Sequence, residues 1–472
     1  MMNRMRRVTA DRLARLTGAR LVGDPGTLVG PDVVIDSRAC SPGALFVALP
    51  GERADGHDFV EGAVAAGAAA VLVRKELPIA VPQLVVPDPL AGLTALATAL
   101  VEEAVAAGLV TVGITGSSGK TSTKDLLAQV LATAGPTVAP VGSLNNELGV
   151  PLTATRVDAA TRFLVSEMGA RRRGHIASLC AIVTPHVGIV LNVGHAHLGQ
   201  FGSVSAIAKA KGELVEALPA EGWAVLNADD PLVSAMAGRT GARIATFAVG
   251  AAPGWGDLRV WAEQVGASDR QRPTFMLHAS GAARGSAPVA LQATGAHQVG
   301  NALAAAVAAL GQGLDVSTVA LALGNATARS HWRMELSSRP DGALVVNDAY
   351  NANPDSMTAA LRTLASLRRP GGRLLAVLGD MLELGPGAAA AHVEVGALAA
   401  ALGVDRLIAI GAHADDLVSG AGGVESTVAS DRAAAAATAA AWLSPADVVL
   451  VKGSRGLALE NVAERLSAPH RG

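Results

Sequence analysis

Short apolar runs of strand length alternate with segments of helical periodicity along most of the chain. Near the N-terminus, residues 45–49 and 70–73 are predicted to be buried strands, with a helix at residues 60–67 between them. Prolines then interrupt the pattern, and residues 93–107 are predicted to form a further helix. This alternation indicates a small α/β unit in the first part of the chain.

A second alternating region follows, and its order of strands and helices is typical of a parallel, doubly wound sheet. We predict a helix at residues 121–134 and strands at residues 110–114, 163–167, 181–183 and 187–192. Residues 250–295 place Gly, Pro and Ser between short β-like runs, so this stretch is predicted to be irregular. An Ala-rich helix at residues 301–311 closes the region.

The last third of the chain indicates another α/β sheet, smaller and Rossmann-like. Strands are predicted at residues 344–347, 374–378, 406–410 and 448–451, with helices such as 359–367 and 388–402 between them. At roughly 100–200 residues per domain, 472 residues make about three domains. We therefore predict an α/β protein with domains at residues 1–107, 108–328 and 329–472.

Charge and composition narrow the class of protein. The formal net charge is −2, so no basic excess favours nucleic acid or an anionic membrane as a partner. Cys40 and Cys180 lie far apart and form no metal or disulfide motif. Apolar stretches such as residues 434–443 are shorter than the ~20 residues of a membrane helix, and no apolar segment follows the arginines near residue 6. We expect a soluble, cytoplasmic protein without membrane insertion.

The strongest chemical signal is the loop at residues 113–121, Gly-Ile-Thr-Gly-Ser-Ser-Gly-Lys-Thr, between a predicted strand and a predicted helix. In a phosphate loop, glycines let backbone N–H groups surround an anion, and the helix N-terminus adds positive potential. Lys and Thr at its end contact the β- and γ-phosphates and Mg²⁺. The predicted ATP-binding residues are Gly116, Ser117, Ser118, Gly119, Lys120 and Thr121. The spacing departs from the common motif, because Ile114 stands where its first glycine is expected.

Residues 115–121 resemble the ATP loop of the Mur ligases and the folylpolyglutamate synthases. Further runs are similar to the Mur ligases along essentially the whole chain: Asp36-Ser37-Arg38, residues 347–356 (Asn-Asp-Ala-Tyr-Asn-Ala-Asn-Pro-Asp-Ser) and residues 378–385 (Leu-Gly-Asp-Met-Leu-Glu-Leu-Gly). The resemblance implies an N-terminal UDP-binding domain, a central ATP-binding domain and a C-terminal Rossmann-like domain. One departure is Gly199, where the family pattern predicts Glu.

The chain is also expected to hold a metal site. Glu167 ends a predicted parallel strand, the edge where ligands of α/β sheets bind, although a solvated carboxylate is the plain alternative. The resemblance implies that His197 is a ligand beside it, with Thr121, and that Lys211 carries a carbamate that binds a second Mg²⁺. Without the resemblance, Lys211 would be read as a solvated lysine; Lys209 would point to another face of the helix.

The resemblance also implies the remaining site residues and the reaction. Asn301 would hold adenine and Asp348 the ribose, Arg333 would be a catalytic cation with Lys120, His197 and Lys211, and Ser37, Arg38, Asn145 and Asn146 would bind substrate. ATP would activate the carboxylate of UDP-N-acetylmuramoyl-tripeptide as an acyl phosphate, which the amine of D-alanyl-D-alanine attacks, in a monomeric enzyme. The alternatives are another Mur ligase or a folylpolyglutamate-type ligase, a P-loop kinase or switch, and a non-catalytic precursor-binding relative.

Overall fold

Apolar strands near the N-terminus pair into a small mixed sheet in the computed structural model, which describes residues 5–51, 54–196 and 198–468. The elements are β1 Val8–Thr9, α1 Ala10–Thr17, β2 Arg20–Val22, β3 Leu28–Val29, β4 Val33–Val34, β5 Leu45–Val47, α2 Val60–Ala65, β6 Ala70–Val73, β7 Gln83–Val85 and α3 Pro89–Ala106. The sheet order is β2-β7-β6-β5-β4, with only β2 antiparallel, and β1 pairs with β3 beside it. Short 3₁₀ turns lie at Ser37–Ala39 and Gly56–Phe59.

Helix α3 begins earlier than predicted, because the Asp88 side chain accepts a hydrogen bond from Leu90 N and Pro89 occupies the first turn. Within the described residues it is the one helix long and apolar enough to cross a membrane, by length and composition alone. Seven of its residues, including Leu93, Leu96 and Val101, are buried. A helix at the core of a globular fold has the same composition, so the feature is weak evidence for a membrane span.

The central region forms one large sheet. Its elements are β8 Val110–Thr115, α4 Lys120–Leu131, β9 Thr137–Val138, α5 Gly149–Ala154, β10 Phe163–Glu167, α6 His175–Val183, β11 Val187–Val190, α7 Leu198–Phe201, α8 Val204–Glu216, β12 Trp223–Asn227, α9 Pro231–Ser234, β13 Arg243–Val249, β14 Leu258–Ala267, β15 Pro273–Gly281, β16 Gly285–Ala290, α10 Gln298–Gly311 and α11 Val316–Asn325. In the described part of the chain the order is β16-β15-β14-β13-β12-β11-β8-β10-β9, and the pairing is parallel except near one edge, where β15 pairs antiparallel with both β14 and β16.

Two predictions for this region are wrong. Residues 181–183 belong to helix α6 rather than to a strand, since a short apolar run does not distinguish a strand from the end of a buried helix. Residues 250–295 are not irregular: β14, β15 and β16 form an antiparallel meander with a bulge between Glu263 and Gly266. The glycines of this meander lie at strand ends or at the bulge. They interrupt the alternation of apolar and polar residues by which strands are predicted.

The C-terminal region has a sheet of its own. Its elements are β17 Glu335–Ser338, β18 Leu344–Asp348, α12 Pro354–Ser366, β19 Leu374–Gly379, α13 Ala388–Ala401, β20 Arg406–Ile410, α14 Ala414–Gly420, β21 Glu425–Val428, α15 Arg432–Trp442, β22 Val448–Lys452 and α16 Glu460–Ser467. The order is β17-β18-β22-β19-β20-β21, parallel except for the edge strand β17. Helices cover both faces, which confirms the predicted Rossmann-like α/β pattern.

Candidate active site

The phosphate loop lies at the centre of the large sheet. Strand β8 is flanked by β10 and β11, so the loop, Glu167 and the segment after β11 share one carboxyl edge. Gly119 adopts φ 81° at the start of α4, a conformation that favours glycine. Asn192 Oδ1 accepts hydrogen bonds from the amides of Ser117, at 2.9 Å, and Ser118, at 3.0 Å, and so fixes the loop.

Lys120 folds over this loop and donates a hydrogen bond to the Gly116 carbonyl at 2.7 Å. Burial lowers the pKa of its ammonium, the Glu167 carboxylate opposes that shift, and Arg333 adds to it. Two cations from different regions, Lys120 and Arg333, therefore face the same space, where an anion would relieve their repulsion. The arrangement suits a polyphosphate.

The end of β10 carries a buried carboxylate, and one of its two oxygens accepts no hydrogen bond from the described residues. Glu167 is 1% exposed, and its Oε1 accepts hydrogen bonds from Ser143 Oγ at 2.6 Å and Asn145 Nδ2 at 2.7 Å. Its Oε2 is buried and has no hydrogen-bond partner among the described residues. Thr121 Oγ1 donates to Ser143 Oγ at 3.3 Å. A buried carboxylate oxygen beside hydroxyl oxygens fits Mg²⁺, which takes oxygen ligands.

The third sheet contributes the opposite wall. Arg333 stacks on the Tyr350 ring at 4.2 Å, and its Nε is buried without a hydrogen-bond partner in the described part of the chain. Its neighbours Trp332 and Met334 adopt φ 58° and 53°, a region that side-chain-bearing residues rarely occupy. Asp348 Oδ1 accepts from the Met334 amide at 3.1 Å and holds this strained turn in place.

Asp348 also forms a buried ion pair. Lys452 Nζ lies 2.5 Å from Asp348 Oδ2 and donates to the Asn351 carbonyl at 2.9 Å. Lys452 ends β22, which pairs with β18, so the two charges meet at adjacent strand ends. Lys452, Ser143 and Asn192 were not predicted as site residues, because only the order of the strands brings them to the loop. For Lys452 and Asn192, the available sequence signal was a basic or amide residue at the end of a predicted strand.

One cavity of about 610 Å³ lies between the two walls. Its lining includes most of the predicted site residues, namely Ser117, Ser118, Gly119, Lys120, Thr121, Asn145, Asn146, Glu167, Asn301, Arg333 and Asp348. Asn301 is buried, donates to Gln298 Oε1 at 2.9 Å and accepts from Thr123 Oγ1 at 3.3 Å. Asn146 Oδ1 instead accepts from the Gly149 amide at the start of α5. His197 lies outside the described residues.

Lys211 does not line this cavity but lies close behind it on α8. It is 6% exposed, and burial, followed by repulsion from Lys120, lowers the pKa of its ammonium well below the usual value. No hydrogen bond to its Nζ is found within residues 5–51, 54–196 and 198–468. Lys209 is exposed, as its predicted position on another face of the helix requires. Lys211 is therefore a buried amine held toward its neutral form.

Ser37 and Arg38 lie apart from the cavity. They belong to the 3₁₀ turn after β4, and the Arg38 side chain is 88% exposed. Its guanidinium donates two hydrogen bonds to Asp36, from Nη2 to Oδ2 at 2.7 Å and from Nε to Oδ1 at 2.9 Å. The Arg38 hydrogen bonds lower the pKa of Asp36 to about 2. Arg38, the arginine predicted to bind substrate, is therefore already paired with Asp36, in a position exposed to solvent.

Comparisons with known proteins agree with this geometry. Family models match residues 32–107 (Mur ligase family, catalytic domain), 114–309 (Mur ligase middle domain) and 332–455 (Mur ligase, glutamate ligase domain). The chain is 47% identical, over 92% of each chain, to UDP-N-acetylmuramoyl-tripeptide--D-alanyl-D-alanine ligase of Mycobacterium tuberculosis.

Solved structures give the same result. The crystal structure of MurF from Acinetobacter baumannii superposes with a TM-score of 0.86 at 31% identity, covering 98% of this chain and 99% of that one. MurF ligase from Thermotoga maritima, in complex with ADP, superposes with a TM-score of 0.76 at 28% identity, covering 92% and 97%. The chain belongs to the Mur ligase family.

Proposed function

We propose that this chain joins D-alanyl-D-alanine to UDP-N-acetylmuramoyl-tripeptide and, in the same reaction, converts ATP to ADP and phosphate. The observation that carries the proposal is that the phosphate loop and Glu167 of the central sheet face Arg333 and Asp348 of the third sheet across one cavity. The relatives that match over almost the whole chain bear the name of this ligase. The neighbour from Thermotoga maritima holds ADP, which supports nucleotide binding here.

The first step requires cations around the transferred phosphoryl group. The substrate carboxylate attacks the γ-phosphorus of ATP, the bond to the bridging oxygen breaks, and ADP leaves. Lys120 and Arg333 reach the same space from opposite walls and would bind the phosphoryl oxygens. The amine of D-alanyl-D-alanine then attacks the acyl carbon, and phosphate departs. The packed third domain would exclude water, which otherwise hydrolyses an acyl phosphate.

Mg²⁺ would be held by Thr121, Glu167 and His197, and it would supply positive charge to phosphate oxygens. The unpartnered Glu167 Oε2 and the adjacent Thr121 and Ser143 hydroxyls support this assignment. Asn145 donates to the same carboxylate and so orients it.

We further propose that Lys211 is carbamylated. Addition of carbon dioxide to an amine needs the neutral form, and the buried, repelled Lys211 has a lowered pKa. The lysine nitrogen attacks carbon dioxide, loses a proton to solvent and becomes an anionic carbamate. Its oxygens would supply ligands for a second Mg²⁺ and would replace the repulsion of Lys120 by attraction.

The remaining assignments concern nucleotide and substrate. Asn301 beside Gly119 would bind adenine, and Asp348 the ribose, since each of its oxygens keeps a second lone pair. Ser37 and Arg38 would bind the UDP moiety, with Arg38 turning from Asp36 to a phosphate. Asn145 and Asn146, which line the cavity, would contact the peptide substrate.

The domain boundaries 1–107, 108–328 and 329–472 are part of the proposal. They are supported by the sheets, whose strands each fall inside one range, and by the matched family segments 32–107, 114–309 and 332–455. We also propose a cytoplasmic monomer, in keeping with nucleotide-linked substrates and with the burial of α3.

Phosphate release from ATP tests the function directly. Release is expected only when UDP-N-acetylmuramoyl-tripeptide and D-alanyl-D-alanine are both present, in equal amount to the ligated product. Replacing D-alanyl-D-alanine by a single amino acid, or the tripeptide by the dipeptide precursor, is expected to abolish turnover. Equal turnover with glutamate as the amine would instead favour a polyglutamate-type ligase.

A further inference from the structure

A short segment after β11 connects the phosphate loop to the third domain. Ser117 Oγ, in the loop, accepts a hydrogen bond from the Gly194 amide at 2.8 Å. The next amide, that of His195, donates to Asp355 Oδ2 at 2.8 Å, and the His195 ring Nδ1 lies 3.3 Å from Asp355 Oδ1. Consecutive amides of one strand-end segment thus bond to the central domain and to the third domain.

Asp355 is well placed for this contact. It lies in the first turn of α12, where a carboxylate is favoured by the helix dipole, and the Asn353 capping box fixes that turn. The approach is close: a Cβ built on Gly194 would lie 2.0 Å from Asp355 Oδ2 and 2.8 Å from its Cγ. Only glycine at position 194 permits this approach.

A second contact lies four residues beyond His195. The Gly199 amide donates to the Glu383 carbonyl at 3.2 Å, and Gln200 Nε2 lies 3.4 Å from Glu383 Oε1. A Cβ on Gly199 would lie 2.5 Å from the Gly385 nitrogen and 2.8 Å from its Cα. Here the backbones of the two domains touch, and side chains cannot move aside to make room.

We infer that Asp355 is a positioning residue that locks residues 194 and 195 against the phosphate loop. In this chain, where glycine stands in place of the family's glutamate at position 199, Gly194 and Gly199 let the third domain approach this closely. The inference rests on the proposed ligase function. Through Ser117, the packing of the third domain is coupled to the geometry of the loop that binds ATP phosphates. The contact of Asp355 with His195 therefore sets the rate of phosphoryl transfer and leaves the binding of the UDP-peptide unaffected.

Gly199→Ala is the sharpest test, because Gly199 has no left-handed φ and lies in helix α7, where alanine is the better helix former. The central domain should tolerate the change, while the methyl group meets the Gly385 backbone. We expect kcat to fall by about tenfold to a hundredfold. The KM for UDP-peptide and the unfolding midpoint should stay at wild-type values. Gly387→Ala is the matched control: it lies in the same third-domain loop and its Cβ would meet nothing within 4 Å.

A double-mutant cycle tests Asp355 independently of how Gly199→Ala folds. Gly194→Ala and Asp355→Ala should each lower kcat, but the double variant should be no worse than Asp355→Ala, because the clashing carboxylate is gone. Additive losses, or wild-type kcat in Gly199→Ala, would overturn the inference. X-ray scattering with ADP and magnesium chloride adds a readout without turnover: wild type should be more compact than Gly199→Ala. If wild type makes no ligated product, the proposed function fails, while the scattering comparison still decides this inference.

Discussion

Two carboxylate–cation pairs lie at or just beyond the ends of parallel strands in different parts of the molecule, and they differ in how deeply they are buried. Asp36 and Arg38 meet at 2.7 Å with side chains 45% and 88% exposed, whereas Asp348 and Lys452 meet at 2.5 Å with side chains 14% and 2% exposed. An exposed pair contributes little and can exchange its partner for a ligand phosphate. A buried pair cannot be opened without leaving a charge unpaired. The first therefore suits a binding surface, and the second a rigid wall.

The largest expected effect comes from breaking the buried pair. Lys452→Met leaves Asp348 buried without its cation, which is expected to cost about 3–5 kcal/mol in the free energy of unfolding. Urea unfolding measures it. Lys452→Met combined with Asp348→Asn should recover part of the loss, because the uncompensated charge is removed. A loss of unfolding free energy as small as that expected for an exposed pair would show that water reaches Lys452. It would contradict the distinction between a buried and an exposed pair.

Lys120→Ala removes a partly buried cation that hydrogen-bonds to the Gly116 carbonyl and forms no ion pair with any residue that the structure describes, so the expected loss is in catalysis rather than in folding. Preorganised groups of this kind are worth about 10²–10³ in kcat. Steady-state phosphate release measures the effect, and an unchanged unfolding midpoint is the control. Turnover close to wild type in a folded Lys120→Ala variant would refute the assignment of the phosphate loop.

Lys211→Ala deletes the proposed carbamate. Loss of a residue that merely orients a metal ligand typically costs about 10–100-fold, so loss of the ligand itself is expected to cost at least as much, and a short carboxylic acid such as acetate should restore part of the rate by filling the vacated space. In wild type, carbamate formation should fail as pH falls through the lowered pKa of Lys211, where its amine becomes protonated. Activity should then depend on dissolved carbon dioxide.

Lys209→Ala is the matched control for that series, since Lys209 is exposed on the same helix. It should retain wild-type activity and show no response to acetate. A sensitive Lys209 beside a tolerant Lys211 would contradict both the helix orientation and the carbamate.

The smallest effect is expected at the exposed pair. Arg38→Ala should raise the KM for UDP-peptide by about two- to fivefold, in keeping with the modest worth of solvated charge pairs. The KM for ATP should not change, because Arg38 does not line the nucleotide cavity. Steady-state kinetics with each substrate varied in turn measures both. A change confined to ATP would contradict the assignment.

The sequence predicts the parts of this fold that local patterns encode. The strands at Ala70–Val73, Phe163–Glu167 and Arg406–Ile410 are confirmed at both ends, because each is a short buried run bounded by clear breaks. The strand predicted at residues 181–183 is wrong, since its apolar run continues helix α6. The meander at residues 258–290 was hidden, because antiparallel edge strands with glycines depend on pairing rather than on local pattern.

The same limit applies to the site. The loop around Lys120 and Thr121 is a local motif, and the family resemblance supplies Arg333 and Asp348. Lys452 and Asn192 reach the cavity only through the pairing of β22 with β18 and of β11 with β8. The order of strands in a sheet is a long-range property, so neither contact could be found from spacing along the chain.

In the proposed function, two domains form one site in which ATP activates a carboxylate. The most direct test is to label the terminal carboxylate of UDP-N-acetylmuramoyl-tripeptide with ¹⁸O and to analyse the phosphate released during ligation. An acyl phosphate intermediate transfers one carboxylate oxygen to phosphate, so each phosphate formed should carry one oxygen from the labelled position. Phosphate without label, released while the amide bond forms, would contradict an acyl phosphate intermediate.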